Sequence, residues 1–453
     1  MKIHPPIPGI PADAPYKNDL FKRQTFGNSL FSLFKSVQEN IVLCVDAPWG
    51  EGKTTFARMW LADLKRRGVN CIYFDAFAHD YADEPFVAFC GEILTLAETS
   101  FADNAIIQTL RKDFKSKAKR IGAKLLCTST RIGVKALPLG IIKDSDIAAM
   151  DSIRTDIADA TSARLSSFMD AVLDDYISSK KSLEEFRAQL SDLGAAVRAK
   201  QNFPLLIVVD ELDRCRPDFA LSLVERIKHL FAAKDVSFLL LANTAQLQNY
   251  VKSVYGSHMD NAENYLGKFF TLTASLPQNR GDTSDNDYSK YTRRLIEHYG
   301  IGKYEIESIL PRLFQYYRFS LREMERCFSI LTLYFAQLQP NQTSFKEITA
   351  FLSVLRIRHP GAFDQLLNCT LTYEQLLEST NLDKIEDTDY LRFSKDWFLW
   401  AMRFFLLTDQ QFEALDEKDK HLYAQAQWPL IRHRTKVLSR ICSDLVRFSL
   451  NEP

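Results

Sequence analysis

The nine residues APWGEGKTT, Ala47 to Thr55, constrain this chain more than any other stretch. They follow an apolar run, Ile41 to Val45, and open a segment with helical periodicity through Arg67, where Gly68 supplies a stop. A strand, a tight glycine-containing loop and a helix in that order make a specific electrostatic arrangement. Consecutive backbone N–H groups turn inward, the helix N-terminus adds positive potential, and a lysine reaches the outer phosphates of a nucleotide. Ala47, Gly52, Lys53 and Thr54 stand at the spacing of the phosphate-loop signature, with Ala47 where a glycine is usual. An alanine permits the close turn only if its backbone stays out of the glycine-only region. Pro48 removes one amide donor from the loop. Trp49, Gly50, Glu51, Gly52, Lys53, Thr54 and Thr55 are the expected nucleotide contacts, with Lys53 a solvent-facing point charge.

A second motif, FPLLIVVDELDRCRPD from Phe203 to Asp218, supplies acids to match. The unbroken apolar run Leu205 to Val209 is what a strand buried on both faces looks like, and Asp210 and Glu211 emerge at its carboxyl end. Magnesium takes one or two carboxylates plus phosphate oxygens and keeps several waters, so Asp210 is suited to hold it beside Thr54. Glu211 is then placed to orient or deprotonate an attacking water. Another buried strand, Val236 to Ala242, ends at Asn243 and Thr244. Asn243 either touches that water or the outermost phosphate, or caps the helix Ala245 to Tyr255. No N-K-x-D element follows, which favours adenine over guanine.

The rest of the chain reads in order as follows. A proline-rich segment over residues 1–16 reads as an extended arm rather than a targeting signal. Asp19 to Asn40 carries apolar residues at helical spacing. A strand from Asn70 to Phe77 leads into FDAFAHDYADEPF, whose Asp75, His79 and Asp80 are either turn residues or neighbours of the ligand at the sheet's carboxyl edge. Pro85 to Gln201 is helical and poor in strands, an insertion centred on residues 100–200. Within it, Ile121 to Ile142 has the length of a membrane span, but Lys124, Arg131 and Lys135 interrupt it and Pro138 breaks its end. Each central basic residue costs on the order of 3 kcal/mol in a bilayer. A buried helical hairpin is the first reading, a basic surface-lying segment the second, a vestigial membrane insertion the third. Asp151 to Lys200 then reads as charge-rich helices packed as a hairpin or coiled coil.

Composition narrows the class. The chain has 453 residues, 46% of them apolar, enough for two to three structural units without staples. Its 57 basic and 57 acidic residues cancel, so no global field draws it to nucleic acid or an anionic membrane. The eight cysteines include no C-x-x-C pair, which argues against a zinc knuckle or disulfide framework and fits a reducing cytoplasm.

WGEGKTT, FDAFAHDY, VVDELDRCRPDFALSLVERIKHLF, LLANTAQLQNYVKSVYG and NYLGKFFTLTASLP together resemble the KAP family of P-loop NTPases, over residues 17–330. The resemblance implies an α/β P-loop NTPase fold of the ASCE type: a mainly parallel sheet flanked by helices, with an extra strand between the two motif strands. It also implies ATP binding and hydrolysis with Mg2+, and a helical insertion that in many members carries transmembrane helices. Bacterial members are often linked to exclusion of phages or other mobile elements. Here the basic insertion argues for a soluble member. The expected domains are 17–280 for the NTPase and 281–453 for a helical C-terminal region. In that region SLREMERCF resembles the family's element in which a helical arginine returns toward the nucleotide, and Arg322 matches it, with Arg326 one turn on. Surface ion pairs with Glu323 and Glu325 are the plainer alternative. The aromatics Phe393, Trp397, Phe398, Trp400, Phe404 and Phe405 read as core, and Arg432 to Arg440 as a basic stretch that only weakly suggests nucleic acid. The expectation is an ATPase whose hydrolysis drives a conformational or assembly switch, with a protein partner or further copies of itself. A non-hydrolysing, nucleotide-gated scaffold is the alternative, and a small-molecule phosphotransferase a third reading.

Overall fold

Three continuous apolar runs become the middle of one parallel sheet. β1 is Val42–Asp46, β2 Ile72–Asp75, β3 Leu205–Asp210, β4 Val236–Ala242 and β5 Leu272–Ser275, in the order β2-β3-β4-β1-β5. The computed structural model describes residues 2, 4–81, 85–99, 101, 105, 107–112, 115, 181, 184–230, 232–256, 261–281, 285–338, 345–385, 395–425 and 433–446. Contacts divide the chain into two units: one of Ile10–Pro48 and Gly52–Pro277, the other of Met1–Gly9, Trp49–Glu51 and Gln278–Pro453.

In the first unit alternate strand residues serve opposite, buried faces, which is why the central strands are apolar but for Ser237 and the acids Asp46 and Asp210 at strand ends. Leu43, Val45, Leu206, Val208, Leu239 and Leu241 pack with the helices α1 (Gln24–Ser36) and α2 (Lys53–Arg66). Cys44, Ile207, Val209, Phe238 and Leu240 face the other core, with α3 (Pro85–Thr99), α4 (184–201), α5 (Pro217–Ile227) and α6 (Thr244–Tyr255). Each wholly buried leucine or valine contributes about 1.5–3 kcal/mol. α1 and α2 are joined by Trp60 Nε1, which donates to the Gly27 carbonyl at 2.9 Å. Gly27 must be glycine, because a Cβ there would lie 2.9 Å from the indole and 2.4 Å from the Tyr16 hydroxyl. Parallel register brings the carboxyl ends of β1, β2, β3 and β4 to one edge, with Asp75 opposite Asp210 and Asp46 opposite Ala242.

Some expected elements differ. α1 begins at Gln24, not Asp19, because Asp19 Oδ2 accepts the Gln24 amide at 2.8 Å and Lys22 takes a left-handed φ of +56°. β2 is shorter than 70–77, since the chain turns into a 3₁₀ turn at Phe77–His79. β5 was not foreseen as a strand; three of its four side chains are exposed, so no apolar period marks it. Of the 151–200 run, α4 shows a single buried stripe of Phe186, Leu190, Leu193 and Val197. The segment 121–142 lies outside the described residues. Among the described residues no helix is long and apolar enough to cross a membrane.

The second unit is helical: α8 is Asp287–Tyr299, α9 Leu310–Tyr316, α10 Leu321–Gln337 and α11 Lys346–Arg358, numbered after the short α7 (Ala262–Gly267) of the first unit. Ser320 and Glu323 form a reciprocal capping box at the start of α10. Phe398, Phe404 and Phe405 are core and Trp400 stacks on Tyr423 at 4.5 Å, but Trp397 is 41% exposed rather than core, and Phe393 lies outside the described residues. Arg434, in the basic 432–440 stretch, is buried and donates to the carbonyls of Phe404 and Leu407, so it braces the helix Lys395–Leu406 from within. From the arm, the His4 carbonyl accepts from His298 Nε2 at 2.9 Å.

Candidate nucleotide-binding site

The site grows from the end of β1. Asp46 Oδ1 accepts the Thr244 amide at 2.8 Å and the Ala47 amide donates to Ala242 O, which fixes where the loop leaves the sheet. Gly50 and Gly52 then take φ of +81° and +79°, a conformation in which side chains with a Cβ are strained. Ala47, by contrast, has no positive φ and is buried, so alanine serves at that position. Gly52 leads α2 with no side-chain cap, leaving the first-turn amides available to an anion. Arg23, a residue the sequence did not single out, is 3% exposed and braces this turn: Nη1 reaches Gly52 O and Nε reaches Pro277 O, both at 3.4 Å.

Lys53 is not solvent-facing as expected. It is 8% exposed, with Nζ donating to Ala47 O at 2.6 Å and lying 3.4 Å from both Pro48 O and Asp213 Oδ2. Asp213, 1% exposed, sits on the 3₁₀ turn Leu212–Arg214, and Tyr250 of α6 donates to its carbonyl at 2.8 Å.

Across the loop, Thr54 Oγ1 donates to Glu211 Oε1 at 3.1 Å, so the α2 hydroxyl and the β3 acids do meet. Asp210 is wholly buried; Oδ1 accepts the Glu211 amide at 2.8 Å and Oδ2 the Tyr73 hydroxyl at 3.0 Å. Burial pushes its carboxyl up to about 6 from 3.8; the Glu211 amide and the Thr54 and Tyr73 hydroxyls pull it back, and the Glu211 charge adds to the rise. Tyr73 is a second residue that sequence reasoning missed. Its only signal was its place on β2, in register with Val208 next to the acid strand. Glu211 itself is left-handed, φ +59°, and Arg214 Nη1 holds its Oε2 at 2.6 Å.

Several expected residues take plainer roles. Asn243 is the N-cap of α6, accepting from the Gln246 amide. Asp75 accepts the Ala78 amide, and His79 lies on Phe74 with Nδ1 2.8 Å from the Asp75 carbonyl, as turn residues do. Asp80 binds the Arg216 amide and guanidinium at the head of α5. In the helical unit Glu51 pairs with Arg280 at 2.6 Å and Trp49 is 43% exposed; in the first unit Thr55 is half-buried in the first turn of α2. Arg322 is exposed in the first turn of α10, with Arg326 exposed one turn on. Glu323 bonds Ser320 and Arg358, and Glu325 accepts from Tyr291 while the Arg322 charge favours its ionised form.

A parallel sheet in which one strand separates the loop strand from the strand bearing paired acids defines a nucleotide-binding P-loop NTPase of the ASCE type. The KAP family P-loop domain matches residues 23–362, and the chain belongs to that family. No curated protein matches it. Among solved structures, the Aeropyrum pernix ORC2 protein in its ADPNP-ADP complexes is similar at 11% identity, over 94% of this chain and 93% of that one, with a TM-score of 0.31. A superposition that loose bears on neither mechanism nor partner.

Proposed function

We propose that the protein binds ATP with magnesium at the loop 47–55, hydrolyses it, and uses the cycle to drive a conformational or assembly switch. What supports the reading above all is the hydrogen bond from Thr54 to Glu211 beside the buried Asp210, which joins the helix after the loop to the acids of β3. The donor set fits magnesium: a hydroxyl and carboxylates, with no imidazole or thiolate among them. Thr54 and Asp210 would hold the ion, and bound magnesium would neutralise charge on the phosphate oxygens. Lys53 exchanges Asp213 for the outer phosphates. Glu211 takes a proton from water as the water oxygen bonds phosphorus, and ADP carries away the displaced electron pair. Arg322 is the residue we assign to sensing the terminal phosphate. The lone cysteines fit a cytoplasmic setting, and on the family resemblance alone the role is in bacterial defence against phage or mobile elements.

The Arg214–Glu211 pair favours a second reading, a scaffold that binds nucleotide without turning it over while that pair holds. ATP hydrolysis by wild type and Arg214→Ala, with molecular mass measured with and without nucleotide, separates the two. Release of ADP and phosphate supports the ATPase. Nucleotide binding without product in either protein supports the scaffold, and absence of binding rejects both.

A further inference from the structure

An acid inside an anion-binding loop is an electrostatic conflict. Glu51 lies two residues before Lys53 and is 5% exposed, so water does little to screen it. Arg280, 229 residues away in sequence, donates from Nη2 to Glu51 Oε1 at 2.6 Å. We propose that Arg280 is a positioning residue that cancels the Glu51 charge and so allows a loop containing an acid to accept a polyphosphate.

The contact is built rather than incidental. Glu51 and Arg280 belong to the same compact unit. The residue before Arg280 is pinned to the start of α8 by a reciprocal pair: the Asn279 amide donates to Asp287 Oδ2 and the Asp287 amide to Asn279 O, each at 2.8 Å. The guanidinium lies over the Tyr288 ring, 5.7 Å from its centroid. The neighbouring loop residue is equally confined, since a Cβ on Gly50 would lie 2.7 Å from Arg322 Cβ and 3.0 Å from Ser320 Oγ. The loop tip before Glu51 therefore lies close against the start of α10. With Arg280 present the pair is neutral. Without it the buried Glu51 carboxylate loses that guanidinium, and the repulsion it exerts grows with the charge of the ligand.

The inference rests on nucleotide binding as proposed above, and titration calorimetry with Mg-ATP and Mg-ADP tests the two separately. Wild type binding neither nucleotide rejects the underlying reading and this inference with it. Given wild-type binding, Arg280→Met should lose about tenfold in ATP affinity and less for ADP. Arg280→Lys, which keeps the charge, should stay close to wild type. The double variant Glu51→Gln/Arg280→Met should recover ATP affinity, because the conflict is gone. Thermal unfolding without ligand establishes that each variant is folded. An ATP affinity unchanged in Arg280→Met overturns the inference. So does a loss equal for ATP and ADP that the double variant does not recover, because a merely structural arginine would behave that way.

Discussion

Lys53 and Asp213 form a buried ion pair across the phosphate loop, with Nζ 3.4 Å from Oδ2. The pair gives the lysine a protein carboxylate to hold where a nucleotide would offer phosphate. The two anions compete for one cation. Asp213→Asn should therefore act in opposite directions on the free and liganded protein. It should cost about 3 kcal/mol without ligand, since a buried ammonium loses its counter-charge. It should also enlarge the rise in Tm produced by Mg-ATP, since the phosphates no longer displace a rival. A rise equal to or smaller than that of wild type would remove the competition.

The same pair corrects the simplest reading of a Lys53 knockout. Lys53→Ala leaves the Asp213 carboxylate buried beside an alanine, so lost binding would come with lost stability. Lys53→Ala/Asp213→Asn should regain most of that stability in denaturant titration and still fail to bind Mg-ATP. Binding by the double variant would mean that the lysine does not serve the phosphates.

What the sequence disclosed follows from where the signal was local. β3 and β4 are buried on both faces, so the run from Leu205 is unbroken and that from Val236 is interrupted only by the small Ser237, and their bounds are legible to within a residue. The loop, Lys53, Thr54 and the acids Asp210 and Glu211 were legible because spacing along the chain carries them. β5 was illegible because three of its four side chains face solvent. Lys53–Asp213, Tyr73–Asp210 and Glu51–Arg280 join residues 160, 137 and 229 positions apart, and nothing in local composition announces such pairs. The left-handed turn at Glu211 was hidden for another reason, since glutamate does not advertise positive φ.

Asp210 should make stability depend on pH in a direction opposite to most carboxylates. Its folded value, about 6, is above the ordinary 3.8, so the folded metal-free protein binds the extra proton between about pH 4 and 6. Stability conferred by that proton is full below pH 4 and is lost as pH rises through 6; at pH 7 the ionised, buried group costs on the order of 3 kcal/mol. With a chelator present, Asp210→Asn should exceed wild type in stability at pH 7 by up to that amount and match it near pH 4. Denaturant titrations at the two pH values check this. An advantage for Asp210→Asn that shrinks as pH rises would show the carboxyl to be lowered rather than raised.

Gly50→Ala should weaken nucleotide binding without touching a charged group. At φ +81° an alanine carries about 1–2 kcal/mol of backbone strain, and its Cβ would meet Arg322 Cβ at 2.7 Å. The loop must shift to accommodate it. Calorimetry should show lower affinity for ATP and ADP alike, in contrast to the charge-dependent loss expected for Arg280→Met.

Glu211 joins two properties that separate by mutation. Its side chain accepts from Thr54 and Arg214 beside the wholly buried Asp210, and its backbone stands at φ +59°. A non-glycine residue held left-handed marks a place where the fold tolerates strain for the sake of a side chain's position. Glutamine keeps the shape and most hydrogen bonds but cannot accept a proton. Glu211→Gln should therefore bind ATP like wild type, lose on the order of a hundredfold or more in single-turnover rate, and accumulate in the ATP state. Glycine removes both the base and the strain. Glu211→Gly should lose turnover at least as severely yet gain about 1 kcal/mol in stability, the relief at positive φ being partly offset by the freer unfolded chain. Single-turnover hydrolysis and denaturant titration on both variants decide the assignment. Wild-type rates in Glu211→Gln would transfer the base to Asp213 or Asp75. Of the two, Asp213 is the stronger candidate, because it already touches Lys53 while Asp75 is committed to the turn at Ala78.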